Sequence, residues 1–401
     1  MLRHRHVRET VPARTSKGLD VAHGLCSPHR GQNSGMNREA ELTNEHIKAN
    51  REAAKTAGLR YVTDTAPGIR REGDADTGFR YLNSDGSEVT DEKTLGRIKS
   101  IAFPPAYTDT WFCRTANGHL QATGRDAKHR KQFRYHPKWR QVRDENKFDR
   151  MMAFGDALST IRARVAEDLT RRGLPREKVL ATVVQLLETT RIRVGNEKYA
   201  HTNQHYGLTT LRGEHVRVRG EQITFSFIGK AGVRHKLAVN NRKLARIVKG
   251  LHDLPGQELF EYVDAETGSI HPVHSDDVNE YLQEISGNGA VPAPAFTAKD
   301  FRTWAGTVQC AMELAAFETV DTQKAVEANV KVAIAKVAAT LGNTPAVCKQ
   351  CYIHPAILTA YTEAGLPDAL RSVPGKSGET PDILLPEEQA VMRYLRAQKN
   401  N

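Results

Sequence analysis

Residues 215–239 read HVRVRGEQITFSFIGKAGVRHKLAV. Ile223, Phe225 and Phe227 alternate with polar positions, the period of a strand with one buried face. Gly220-Glu221 and the segment Gly229–Gly232 interrupt the run with turn-forming residues. The stretch therefore predicts a three-stranded antiparallel meander. On either side the period changes to that of a helix. MMAFGDALSTIRARVAEDL (151–169) and REKVLATVVQLLETTRIRV (176–194) carry apolar residues at helical spacing, and the second is expected to stop at a cap around Gly195-Asn196. A long Ala/Val/Lys helix is expected in TQKAVEANVKVAIAKVAATLG (322–342).

Further upstream the pattern is mixed. HIKANREAAKTAG (46–58) suggests a short helix. FRYLNSDGSEVT (79–90) holds a turn at Ser84-Asp85-Gly86, and TDTWFCRTANGHLQATGRD (108–126) places Ala116-Asn117-Gly118 between two short strands. The expected class is α+β: a small β-rich N-terminal domain over 43–140 and a larger, mainly helical domain over 141–365 that carries the meander. Residues 1–42, rich in Arg, His, Ser and Gly, are expected to be a disordered basic extension. Residues 366–401 read as a tail with an amphipathic helix from Pro386 to about Arg396.

The 401 residues carry 58 Lys+Arg against 47 Asp+Glu, a formal excess of +11, which favours a polyanionic partner and nucleic acid first. No run of ~18 apolar residues suggests a membrane span, and the N-terminus lacks the apolar stretch of a secretory signal. Cys26, Cys113, Cys310, Cys348 and Cys351 are too scattered for a disulfide framework and fit a reducing cytoplasm. Residues 111–143 hold nine Lys/Arg and one acid, Asp126, with Phe133, Tyr135 and Trp139 interleaved. Such a run can be a solvated surface, but cations neutralise phosphates, and Gln132 and the aromatics can reach base edges. Trp139 reads equally well as core.

The usual enzyme signatures fail. Gly375-Lys376-Ser377 has Leu370 where a phosphate loop needs its first glycine, and no HExxH occurs. His271-x-x-His274 with Asp276 and Asp277 matches no zinc spacing, and Cys348-x-x-Cys351 lacks a second pair. Tyr352, next to that pair, is a candidate nucleophile for phosphoryl transfer. A phenol attacks phosphorus poorly at its free pKa of ~10. It needs guanidinium forks for the charge that develops on the phosphoryl oxygens. It also needs a proton donor for the leaving oxygen.

From about residue 60 to 365 the chain resembles the type IB DNA topoisomerases, in particular their compact bacterial and poxvirus-like branch. RIRVGNEKY (191–199), FSFIGKAG (225–232), TAKDFRTWAG (297–306) and LGNTPAVCKQCYIHP (341–355) resemble that family's segments in the family's order. The resemblance puts the first catalytic arginine on Arg193, the lysine on Lys230, the second arginine on Arg302 and the nucleophile on Tyr352. Asn343 stands where some members have histidine, which implies an oxyanion donor that does not titrate. GRDAKHRKQFRY (124–135) resembles the DNA-contacting strand, with Gln132, Phe133 and Tyr135 on base-contacting positions. Because Phe133 stands where the viral branch has tyrosine, that branch's tight sequence preference is not expected. Arg125, Lys128, Lys198 and Tyr199 fall on further DNA-contacting positions. The implied enzyme clamps double-stranded DNA as a monomer, with no cofactor, metal, ATP or membrane, in the cytoplasm and, if bacterial, beside the nucleoid.

Each residue has an ordinary structural role to compete with. Arg193 can complement a helix end, Lys230 can be a solvated turn residue, Arg302 can pair with Asp300, and Tyr352 can be core. Three other functions compete too: a tyrosine recombinase, which usually has His where this chain has Lys299; a non-catalytic DNA-binding protein; and a zinc-dependent regulator using the two cysteines.

Overall fold

The structure, a computed structural model, describes residues 47–48, 50–287, 296–318, 320–363, 366, 370 and 384–399, with backbone only at 144–146, 198 and 399. The expected extension over 1–42 and most of 366–383 lie outside the described residues. The chain divides between Val142 and Arg143 into two units.

In the first unit a short helix, α1 (50–56), precedes a hairpin of β1 (Arg70–Asp74) and β2 (Gly78–Leu82). The turn at Ser84–Gly86 closes where expected, with Asn83 N donating to Ser87 O at 2.8 Å and Gly86 at φ +87°. Helix α2 (Glu92–Ser100) starts because the Asp91 carboxylate accepts from Thr94 N at 2.8 Å, satisfying an otherwise unpaired donor. Then β3 (Thr108–Phe112), β4 (Leu120–Arg125) and β5 (Lys131–Tyr135) form an antiparallel sheet in that order, β5 at the edge. Ile69, Ile98, Phe103, Phe112 and Ala122 make its core. Trp139 is core as well, packed with Ala54 and Leu59.

The boundary between the units falls inside α3 (Pro137–Asp168). In the second unit α4 (Arg176–Thr190) is apolar nearly all round, with Val179–Val184, Leu186 and Leu187 buried, the pattern of a central helix. It ends earlier than its periodicity suggested. Arg191 turns left-handed at φ 56° and its N–H caps Leu187 O, so Ile192–Val194 run on outside the helix. Asn196 does not cap that helix. Its side chain accepts from Tyr199 N and opens the next one, α5 (Glu197–Asn203).

The meander is present as β6 (Val216–Arg219), β7 (Gln222–Ile228) and β8 (Arg234–Asn240), antiparallel in that order. Ile223, Phe225 and Phe227 are buried, each worth roughly 1.5–3 kcal/mol of transfer free energy. Below them lie Leu244, Ile247, Val248 and Leu251 of α6 (Arg242–His252). A short hairpin of β9 (Glu261–Val263) and β10 (Ile270–Pro272) leads to α7 (Ser275–Ser286), α8 (Ala298–Ala315), α9 (Gln323–Leu341), α10 (Pro345–Cys351) and α11 (Pro355–Thr362). The last helix, α12 (Pro386–Lys399), starts at the Pro386 expected for an amphipathic helix and runs past Arg396; it is packed rather than a loose tail. Its Val391, Met392, Tyr394 and Leu395 are buried in the same core as α4 and α8. The architecture is thus mixed helix and sheet, with several small antiparallel sheets. Among the described residues no helix is long and apolar enough to cross a membrane.

Candidate active site

Helix α9 ends at Gly342, whose φ of +58° lets the chain turn back. Asn343 N donates to Ala338 O at 3.0 Å and Gly342 N to Ala339 O at 3.3 Å, a Schellman closure. That leaves the carbonyls of Leu341 and Gly342 facing outward from a helix end, where partial negative charge collects. Two arginines answer them. Arg302 Nη2 donates to Leu341 O at 2.7 Å, and its Nη1 donates to Arg191 O at the end of α4. Arg193 Nη2 donates to Gly342 O at 3.3 Å and to Asn343 Oδ1 at 2.5 Å.

Arg302 is 4% exposed, yet neither it nor Arg193 pairs with a carboxylate among the described residues. Asp300, one ordinary partner open to Arg302 on sequence grounds, is occupied elsewhere. It caps α8 through Thr297 N at 2.7 Å and pairs with Arg150 at 2.5 Å. Burial, and then the neighbouring Arg302, hold the Arg193 pKa below its usual value; an arginine stays charged regardless. The two guanidiniums are therefore like charges, partly stripped of water, with no counter-ion among the described residues.

Tyr352 follows directly on α10, its N–H on Cys348 O at 3.0 Å. Its ring lies 5.3 Å from the Arg302 guanidinium carbon. Thr307 of α8 holds the backbone on both sides, donating to Tyr352 O at 3.2 Å and accepting from His354 N at 3.1 Å. Gly306 permits that approach, since a Cβ there would sit 2.7 Å from Tyr352 O. Nothing in the sequence singled out Gly306 or Thr307; a glycine inside a helical pattern was the available signal.

Asn343 can be oriented by elimination. Arginine only donates, so the amide oxygen must face Arg193 and the NH₂ must face away. That Nδ2 is buried and has no partner among the described residues. A buried donor left unmade costs about 1–3 kcal/mol, so this atom is built to meet an acceptor.

Lys230 stands apart. It is exposed at the turn between β7 and β8 and makes no hydrogen bond or ion pair among the described residues. Ala231 beside it is held left-handed at φ 64°, a strain of roughly 1–2 kcal/mol for a residue with a Cβ. His235 links this hairpin to the site. Its ring stacks on Phe227 at 5.0 Å and packs so closely that a Cβ on Gly229 or on Gly342 would be 2.7 or 2.9 Å away. Burial first, then Arg193 and Arg302, push the His235 pKa down, so it packs there as a neutral ring. His235 is a second residue the sequence did not flag.

In the first unit the basic strand β5 divides by alternation. Phe133, 43% exposed, and Tyr135 stack on one face with ring centroids 6.1 Å apart, and the Lys131 ammonium lies over Phe133. Gln132 points to the other face, donating to Asp126 Oδ2 at 2.9 Å. Asp126 also binds Arg130, which chiefly pushes its pKa down to about 2. Arg125 is paired with Asp109 at 3.1 Å, and the Lys128 side chain is exposed. In the second unit Tyr199 is 49% exposed on α5; the Lys198 side chain lies outside the described residues. No cluster of three or more His, Cys, Asp or Glu suited to a metal occurs among the described residues.

Four of the five expected active-site residues thus meet, cations against a phenol, in an arrangement suited to an anionic phosphoryl group. Comparison with known proteins identifies the family. A family model of the eukaryotic DNA topoisomerase I catalytic core matches residues 136–365, more than half of the chain. A model of the bacterial DNA topoisomerase IB N-terminal domain matches 78–126. The chain belongs to the type IB DNA topoisomerases. It is 32% identical over 300 residues to DNA topoisomerase 1B of Acanthamoeba polyphaga mimivirus, covering 73% of this chain and 87% of that protein. With DNA topoisomerase I of Monkeypox virus it shares 22% over 307 residues, 75% of this chain and 91% of the relative. With DNA topoisomerase 1 of Mycosarcoma maydis it shares 25% over 182 residues, 41% and 17% of the two.

Proposed function

We propose that this topoisomerase relaxes supercoiled duplex DNA by cutting and resealing one strand. The Tyr352 oxygen attacks a backbone phosphorus and gives up its proton. The bond from phosphorus to the 5′ oxygen breaks, leaving a 3′-phosphotyrosine and a 5′-hydroxyl. Arg193, Arg302 and the Asn343 NH₂ hold the non-bridging oxygens, and Lys230 protonates the departing oxygen. The cut strand swivels about the intact one, and the 5′-hydroxyl reverses the step. The phosphodiester energy stays in the covalent link, so neither ATP nor a divalent ion is needed. The two units take the duplex between them as a clamp, with β5 and α5 supplying contacts, and one chain suffices.

The observation that carries this reading is the pair of adjacent guanidiniums, unpaired with any acid among the described residues, one lying against the Tyr352 ring. Their like-charge and desolvation costs are offset when a phosphate arrives, and more so as its charge grows in the transition state. The direct test is incubation with supercoiled plasmid in EDTA without nucleotide; absence of relaxation would overturn the reading.

Two further results are expected. Lys230→Ala should slow cleavage by about 10²–10⁴-fold, the usual worth of a general acid. A substrate with sulfur in place of the 5′ oxygen departs without a proton, so most of that loss should disappear; an undiminished loss would remove Lys230 from the acid role. Gly306→Ala forces a Cβ against the Tyr352 backbone, where no flexible side chain can give way. Overpacking of this kind costs about 1–3 kcal/mol. A shifted nucleophile should also cleave on the order of 10²-fold more slowly. Melting and single-turnover cleavage measure the two effects; normal cleavage by a folded variant would show that Tyr352 does not depend on this contact.

A further inference from the structure

Glu388 on α12 lies well outside the stretch matched by the topoisomerase core, which ends at residue 365. It is nonetheless 6% exposed and fully engaged. Its two oxygens accept a fork from Arg162 of α3 at 2.8 and 2.9 Å. One also accepts Trp304 Nε1 at 2.9 Å, and the other Leu385 N at 3.0 Å. Arg162 in turn reaches Glu188, in the last turn of α4, at 2.6–2.7 Å.

Each end of this network stops on a helix that carries Arg302 or its acceptor. Trp304 is two residues beyond Arg302 on α8, and Glu188 is three residues before Arg191, whose carbonyl accepts from Arg302 Nη1. A carboxylate on the last helix thus ties α8, which carries Arg302, to the end of α4, which carries its acceptor. Arg162 has a second effect. It occupies one buried and one half-buried carboxylate, Glu388 and Glu188, both of which act on the nearby Arg191 and would otherwise draw it.

We propose that Glu388 is a positioning residue for DNA cleavage, holding Arg302 at the phosphate through Trp304 and through the Arg162–Glu188 pair. The inference rests on the role given to Arg302 under Proposed function. It makes α12 part of the machinery of the second unit.

The test is a double-mutant cycle on the full chain, read by single-turnover cleavage of a labelled duplex, with DNA affinity and melting recorded for every variant. Glu388→Gln keeps an acceptor for Trp304 but turns an NH₂ toward Arg162. It should cleave about tenfold more slowly while its DNA affinity changes less than twofold. In an Arg302→Ala background the same change should cost less than twofold, because the group it positions is gone. A merely structural role would lower melting and multiply through both backgrounds equally; an equal loss in the two would overturn the proposal, as would unchanged cleavage by Glu388→Gln. Trp304→Phe removes the Nε1 donor together with part of the buried indole, so with its melting recorded it tests the same link if Glu388→Gln folds poorly. It should cleave roughly threefold more slowly, again only where Arg302 is present, and a loss independent of Arg302 would refute the link. Failure of the unaltered chain to cleave at all would instead refute the underlying function.

Discussion

Tyr352→Phe should bind duplex DNA as tightly as the unaltered chain, melt within a degree or two of it, and cleave at least 10⁴-fold more slowly. The change removes one oxygen. Among the described residues that oxygen makes no hydrogen bond, while the ring is 9% exposed, lies against Arg302 and is retained by phenylalanine. The fold should therefore barely register the loss. Chemistry should lose everything, because no bond to phosphorus can form without a nucleophile, and removing the nucleophile of a covalent enzyme typically costs about 10⁴–10⁶. Trapping with detergent during cleavage of an end-labelled duplex reads the covalent complex directly. A normal yield of protein-linked strand from the phenylalanine variant would move the attack to another side chain.

That separation between ring and hydroxyl was not legible in the sequence, where Tyr352 as nucleophile and Tyr352 as core residue stood as alternatives. The structure makes them compatible: the ring is core, and among the described residues the oxygen is unpaired. What the sequence did disclose was whatever depends on local period. The alternation of Ile223, Phe225 and Phe227 gave the meander because a half-buried strand must alternate. Apolar spacing gave α3, α4 and α9. Ends were harder. The periodicity of α4 continued through Ile192 and Val194, yet the helix stopped at Thr190, because Arg191 can turn left-handed and the next apolar residues find core contacts outside the helix.

Long-range pairing was hidden altogether. Asp300 and Arg302 lie two apart in sequence, which invites pairing, but residues at that spacing do not share a helix face. Arg150 takes Asp300, from a helix 150 residues away. Nothing in the sequence singled out Glu388 within the amphipathic helix expected from Pro386, and only the packed α3 and α8 reveal its partners. Within β5, resemblance grouped Gln132 with Phe133, while the pleat sends them to opposite faces and Asp126 holds the glutamine amide.

Arg193→Ala and Arg302→Ala should injure cleavage alike and stability very differently. Each removes a charged donor from the phosphoryl oxygens, worth on the order of 10³ in the cleavage rate. Arg302 also satisfies two carbonyls, Arg191 O and Leu341 O, at the ends of two helices, and is itself buried. Truncating it leaves both acceptors without their donor, about 1–3 kcal/mol each, and opens a void between α4, α8 and α9. Melting should fall by roughly 5–15 °C at about 2–4 °C per kcal/mol. Arg193 makes one long bond to Gly342 O at 3.3 Å and one to the half-buried Asn343 side chain. Its removal also relieves repulsion from Arg302. Melting should then move by less than about 2 °C. Arg302→Lys keeps the charge but cannot span both carbonyls and a phosphate with a single ammonium, so it should recover little of either loss. Melting curves and single-turnover cleavage of the three variants decide the matter. Equal melting for Arg193→Ala and Arg302→Ala would mean that the Arg302 fork is not what joins the ends of α4 and α9 beneath the nucleophile.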